Sequence, residues 1–265
     1  MNSIIFIFKK IQRWRWVLAI ILIFGASFDA YTSLASSAAK PSFYEIVLIH
    51  TDDPVIFIQF FIFLLLIADF GFNKGSNEDS SLTGNFKKTS SSFVYSFIIS
   101  VIFVFIFIIC AVLTTLLIGG DINLSNKWQI MQYVNLPWIR PFQATVLSIV
   151  FFILKLTFYC MIVFLINRIC KKHPFGFVGG IVLCFIDSIA FFDLLIAENP
   201  IWIFPFEYSF LESLLTHTSS MVINILISIS YWISLYMVIG TIIFLLNRAS
   251  GKKKLENKLY ETDNI

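Results

Sequence analysis

The chain has 265 residues, 58% of them apolar and only 13% charged, with 31 phenylalanines and a net charge of +3. A soluble globular domain carries roughly 25% charged residues. A mean hydropathy of +0.86 therefore excludes a water-soluble fold and places the chain in a bilayer, and the small positive excess reflects membrane topology rather than nucleic-acid binding.

Crossing about 30 Å of hydrocarbon as a helix takes roughly 20 uninterrupted apolar residues. Runs of that kind lie at about 15–35, 52–70, 93–118, 143–167, 176–197 and 221–246, which predicts an all-α, polytopic membrane protein with six transmembrane helices. Three regions follow from these limits: a cytoplasmic interfacial helix over 1–14, a six-span domain over 15–247 and a cytoplasmic tail over 248–265.

The N-terminal stretch MNSIIFIFKKIQRWRWVL sets Ile4, Ile5, Phe8 and Ile11 against Lys9, Lys10, Arg13 and Arg15. Such a pattern predicts an amphipathic helix at the cytoplasmic interface, with its tryptophans at headgroup level and its cations near anionic membrane lipids. Basic residues, an apolar run and SLASSAAKPS also have the order of a cleavable signal. The run is long and is interrupted near its end by Asp29, so a retained first span is the expectation.

The second run is the shortest. Pro54, tolerated in a first helical turn, opens it and leaves Asp52 and Asp53 outside the membrane. The stretch NKGSNEDSSLTGNFKKTSSS follows, rich in Gly, Ser and Asn and mixing Glu78 and Asp79 with Lys87 and Lys88, which predicts a solvated cytoplasmic linker or a docking surface for a cytoplasmic protein.

The fourth run carries Lys155 in its middle and the fifth carries Asp187. Lys155 lies twelve residues before Asn167, and Asp187 eleven residues after Gly176. At 1.5 Å per residue both are roughly 18 Å from the short connection ICKKHPFG. A lone charge at mid-bilayer costs at least about 2.5–3.5 kcal/mol, so a Lys155–Asp187 pair facing the bundle interior is expected. It serves either helix packing or a polar translocation path. Asp29 and Asp193, near outer span ends, read as wetted interfacial carboxylates.

Between the fifth and sixth runs, AENPIWIFPFEYSFLESLLTHTSSM is aromatic yet contains Trp202, Pro205, Glu207 and Glu212, so it cannot be one spanning helix. A broken extracellular or re-entrant helical hairpin, or an aromatic loop resting on headgroups, fits it.

Orientation comes from the cations. Fifteen of the nineteen Lys and Arg fall on the side of the N-terminus and three, Lys40, Lys127 and Arg140, on the other; Lys155 is the remaining one. Both termini are therefore expected in the cytoplasm. Cys110, Cys160, Cys170 and Cys184 form no C-x-x-C spacing, and His50, His173 and His217 are scattered over loops or span ends as surface or interfacial residues, which predicts no disulfide and no metal site. The one Gly-Lys, Gly251-Lys252, is preceded five positions earlier by Leu246 rather than Gly, so a nucleotide-hydrolysing loop is not expected, nor is there a nucleophile elbow or a zinc-protease pair.

Six spans with both ends inside, an amphipathic N-terminus, a polar cytoplasmic loop after the second span and a broken hairpin between the last two together resemble the membrane permease subunit of a type-2 ABC exporter, especially the small bacterial permeases of peptide and lantibiotic export or immunity. In that family the loop after the second span has an acidic residue, Gly-Thr, a Leu run and Thr-Pro; here Glu78 is followed by an inverted Thr83-Gly84 and no proline. The resemblance implies a bacterial plasma-membrane transport subunit that is not itself an enzyme. Its partners would be cytoplasmic ABC ATPase subunits, which bind ATP and Mg and dock beneath the N-terminal helix and the 72–90 loop, and a second permease copy or paralogue. The substrate implied is a hydrophobic or amphipathic peptide or lipid-like molecule. A non-transporting membrane immunity or scaffold protein and a small intramembrane enzyme are the alternatives.

Overall fold

The computed structural model describes residues 11–35, 41–52, 55–68, 70, 82–119, 122–125, 127–129, 139–170, 175–197 and 221–262. Every regular element in them is helical: α1 (Arg13–Ala35), α2 (Phe43–Asp52), α3 (Val55–Ile67), α4 (Leu82–Gly119), α5 (Pro141–Cys170), α6 (Phe175–Ala197) and α7 (Met221–Thr262). Four of them contain apolar stretches long enough to cross a membrane, at Arg13–Leu34, Thr89–Gly119, Pro141–Cys170 and Val222–Ala249.

The helices begin where the sequence supplies a cap. Ser42 caps α2. Its amide and hydroxyl both donate to Glu45 Oε2 at 2.8 Å, and the Glu45 amide returns to Ser42 Oγ at 3.4 Å. In α5, Pro141 occupies the first turn, where its missing amide donor costs nothing, and the Arg140 amide donates to Gln143 Oε1 at 3.2 Å. Pro54 lies between α2 and α3. Proline disfavours helical backbone at the residue before it, and α2 stops at Asp52.

Side-chain contacts fix the order of the two ends of the bundle. At one end Tyr31 of α1 meets Gly119 of α4, the Phe43 amide donates to the Asn123 carbonyl at 2.8 Å, and the Thr145 hydroxyl donates to the Tyr44 carbonyl at 3.1 Å. At the other, Arg15 of α1 reaches the Leu65 carbonyl at 3.4 Å, and the end of α3 meets the end of α5 and the start of α6 through Asn167. Hence α2 and α3 together run from the first of these ends to the second. α3 lies within the run expected at about 52–70, and α2 precedes it, with Ile46 to Thr51 buried against neighbouring helices.

The polar stretch over 73–92, expected as a solvated linker or a docking surface, is helical from Leu82, which puts Lys87 and Lys88 in α4. The region after Asn247 continues α7 as helix to Thr262.

α5 is the hub, packed against α2, α3, α4, α6 and α7. The outer faces are apolar: Met237, Phe185, Phe105 and Ile21 are all more than 60% exposed, while Glu45, His50, Lys155 and Asp187 are inside. This inversion of a soluble protein's pattern is stable only where the surroundings are as apolar as the side chains. Hydroxyls on the outer face of α7 follow the same rule. Ser230, Ser234 and Thr241 each donate at 2.8 Å to the carbonyl four residues earlier, and so ask nothing of the solvent.

Candidate functional site

The polar residues of α5 recur at Thr145, Ser148, Lys155, Tyr159 and Asn167, spacings that keep them on one stripe of a helix with 3.6 residues per turn. All five are buried. Apolar Phe152 and Val163 complete the stripe.

At its centre Lys155 Nζ lies 2.6 Å from Asp187 Oδ2, with the two side chains 0% and 2% exposed. Tyr159, one turn after Lys155, donates its hydroxyl to the same oxygen at 3.0 Å. The i, i+4 spacing is what lets a cation and a phenol converge on one carboxylate. Phe60 of α3 closes the remaining side: the ammonium sits 4.8 Å from its ring centroid, and the ring stacks on Tyr159 at 4.9 Å. Removed from water, an ammonium over an aromatic face gains about 2 kcal/mol, which together with the ion pair offsets part of the desolvation of both charges.

The shared depth of the pair is set at the nearby corner. Asn167 Oδ1 accepts the Gly176 amide at 2.8 Å, and Asn167 Nδ2 donates to the carbonyls of Ala68 at 3.0 Å and Phe70 at 2.8 Å. One side chain thus ties the ends of α3 and α5 to the start of α6. Counting twelve residues back along α5 and eleven forward along α6 from this clasp brings Lys155 and Asp187 level. Close approach of α6 needs glycine. A Cβ on Gly180 would stand 2.5 Å from Leu64 Cδ2 and 3.2 Å from Val163 Cγ2.

Toward the opposite end the stripe continues through Ser148, whose hydroxyl donates to Thr51 Oγ1 at 2.8 Å, and Thr145. His50 and Gln59 face each other across the α2–α3 break, with Gln59 Nε2 and His50 Nδ1 3.3 Å apart. Glu45, fully buried, uses Oε2 in its cap and Oε1 to accept the Gln129 amide at 2.6 Å, which fastens the segment before α5 to α2.

No family model matches this chain, and neither a curated protein nor a solved structure does. Function must be read from the site itself.

Of the residues singled out in the sequence, the fold brings Lys155 and Asp187 together. Arg13 opens α1 as an exposed residue, and Lys87 and Lys88 lie in the first turns of α4, their side chains outside the described set. Lys9, Lys10, Glu78, Asp79, Trp202, Pro205, Glu207 and Glu212 lie outside the described residues. His50 is corrected: expected at a surface or interface, it is fully buried between α2, α3 and Phe107 of α4. Sequence reasoning passed over Phe60, Tyr159, Asn167, Gln59 and the Ser42–Glu45 cap. For the cap a signal existed, since S-x-x-E before an apolar run marks a helix start; Phe60 had none among so many phenylalanines. All four cysteines are free thiols, and the described residues contain no group of three metal-binding side chains.

Proposed function

We propose that the chain is a six-span permease subunit of the bacterial plasma membrane, with both termini cytoplasmic, that moves a hydrophobic or amphipathic substrate outward when partner ATPase subunits close on nucleotide. The observation that carries this reading is a buried ion pair, Lys155–Asp187, closed by Phe60 of α3, the short helix that begins at Val55 after α2 ends at Asp52. Breaks in a membrane-embedded helix survive only when packed inside protein or lining a polar path, and intramembrane charges concentrate along such paths. The pair joins the helix after the break to α5 and α6, so tilting α6 against the other two is the movement that opens it. The remaining support is the layout shared with type-2 ABC exporters and the cation-rich face toward the expected cytoplasm.

The ATPase would dock on the N-terminal helix and the segment from 72 to 90, with Lys9, Lys10, Arg13, Glu78, Asp79, Lys87 and Lys88 as contacts; nucleotide and Mg belong to that partner, and a second permease copy completes the path. Co-purification with an ATP-hydrolysing subunit tests this. Binding and export are expected to be lost when 72–90 and the N-terminal helix are both removed; their survival would overturn the docking assignment.

One observation favours a second reading, a membrane immunity or scaffold protein that transports nothing. The pair is enclosed by Phe60 and Tyr159, as a purely structural clamp would be. Normal export by a Lys155→Met, Asp187→Leu double variant would assign the pair to packing alone.

A further inference from the structure

α2 is a helix of 10 residues, shorter than the roughly 12–15 that keep a helix formed in water without partners, so what fastens it decides whether it stays in place. Two hydroxyls of α5 hold it, Thr145 on the Tyr44 carbonyl at 3.1 Å and Ser148 on Thr51 Oγ1 at 2.8 Å. A further fastening comes from the connection between α4 and α5.

Residues 122–125 and 127–129 of that connection are knit to one another. The Ser125 amide donates to Asn123 Oδ1 at 3.0 Å, the Lys127 amide to Ser125 Oγ at 3.4 Å, and Gln129 Nε2 to Ser125 Oγ and to the Lys127 carbonyl, both at 3.2 Å. The Trp128 indole donates to the Ile139 carbonyl at 3.0 Å, which anchors the unit beside the start of α5. It grips the first turn of α2 at two places: the Asn123 carbonyl takes the Phe43 amide at 2.8 Å, and the Gln129 amide donates to Glu45 Oε1 at 2.6 Å.

The two grips differ in kind. Phe43 is partly exposed, and its amide is one of the first four of a helix, for which water can replace an outside carbonyl. Glu45 is fully buried, and a buried carboxylate oxygen that loses its donor bears the cost of its desolvation. Its oxygens have separate duties, since Oε2 serves the Ser42 cap and Oε1 the Gln129 amide. Oε1 can give up that amide only when water reaches it, so the connection and the first turn of α2 part in one step.

We propose that the α4–α5 connection is a strap that latches α2 to the bundle, with the Glu45–Gln129 hydrogen bond as the latch, and that α2 opens as a unit when the latch is released. On the transport reading the strap closes one end of the path. The experiment below reads only the opening of α2, so it can fail while that reading stands.

Hydrogen–deuterium exchange of the full-length protein in lipid nanodiscs, followed by mass spectrometry on peptides covering 43–52, measures this opening. Gln129→Pro removes the amide donor and leaves Glu45 and its cap in place, whereas Gln129→Ala keeps the amide and removes only the side-chain bonds. The α2 peptides are expected to exchange at least about tenfold faster in Gln129→Pro, the factor that loss of a hydrogen bond to a charged acceptor implies, with Gln129→Ala close to the native protein and α5 unchanged. Equal exchange in the two variants would overturn the latch, and so would an acceleration that spreads equally to α5. Should Gln129→Pro fail to fold, Glu45→Ala is compared with Ser42→Ala. Both weaken the cap, but only the first removes the acceptor for Gln129, so faster α2 exchange is expected in Glu45→Ala alone and equal rates in the two would overturn the proposal.

Discussion

Lys155 shows how much one misplaced charge constrains. With its ammonium 2.6 Å from Asp187 and no exposed surface, the cost of the pair is met only while both members and Tyr159 are present. Truncating one member leaves the other buried and uncompensated, which costs about 3–5 kcal/mol, whereas replacing both by apolar residues of similar size is close to neutral. Lys155→Met and Asp187→Leu are therefore each expected to lower the unfolding midpoint in detergent sharply, and the double variant to recover most of the loss. A loss in the double variant equal to the sum of the two single losses would mean that the pair contributes no coupling. The pairing was legible because two charges stood equally far from one short connection. Phe60 and Tyr159 were not, because nothing in a chain with 31 phenylalanines marks which ring will lie over a cation.

Helices meet here through large apolar rings and, at points, through small residues and clasps. Lipid offers no hydrophobic drive for two helices to associate, so close packing supplies it. Gly180 lets α6 lie against Leu64 of α3 and Val163 of α5, while Gly240 of α7 and Gly25 of α1 have open space around them. Gly180→Ala should destabilise the protein by about 1–3 kcal/mol through overpacking, and Gly240→Ala should stabilise it by up to about 1 kcal/mol through helix propensity. Thermal unfolding of the two variants under the same conditions measures both, and a neutral Gly180→Ala would remove glycine contact as the reason for the α3–α6 approach. Element-level reading of the apolar runs stopped short of α2, whose burial from Ile46 to Thr51 depends on neighbours distant in sequence.

At the scale of the whole molecule the exterior is apolar and the interior carries the charge. α7 is the most exposed of the long helices, and it touches α4 and α5 along one side, with Asn247 donating to Thr89 at 3.1 Å. The native cysteines report on the proposed topology without engineering. Cys170 ends α5 and is exposed, whereas Cys110 and Cys160 are buried and Cys184 is half-buried in α6. A membrane-impermeant maleimide should label Cys170 in inverted vesicles and leave it unlabelled in intact cells. Labelling of intact cells at Cys170 would reverse the orientation.

Mean hydropathy and run lengths determined the helical class and the apolar character of the long helices, because these depend on summed transfer energies that any folded arrangement must respect. The depth match of Lys155 and Asp187 was determined as well, by rise per residue from a common corner. Which faces meet was decided only by tertiary structure: the packing of α2 ahead of α3, the Asn167 clasp and the ring of Phe60 over the ammonium all depend on short-range fit between side chains far apart in sequence. Transfer energy is blind to that fit, since an apolar residue gains nearly the same whether it faces lipid or another helix.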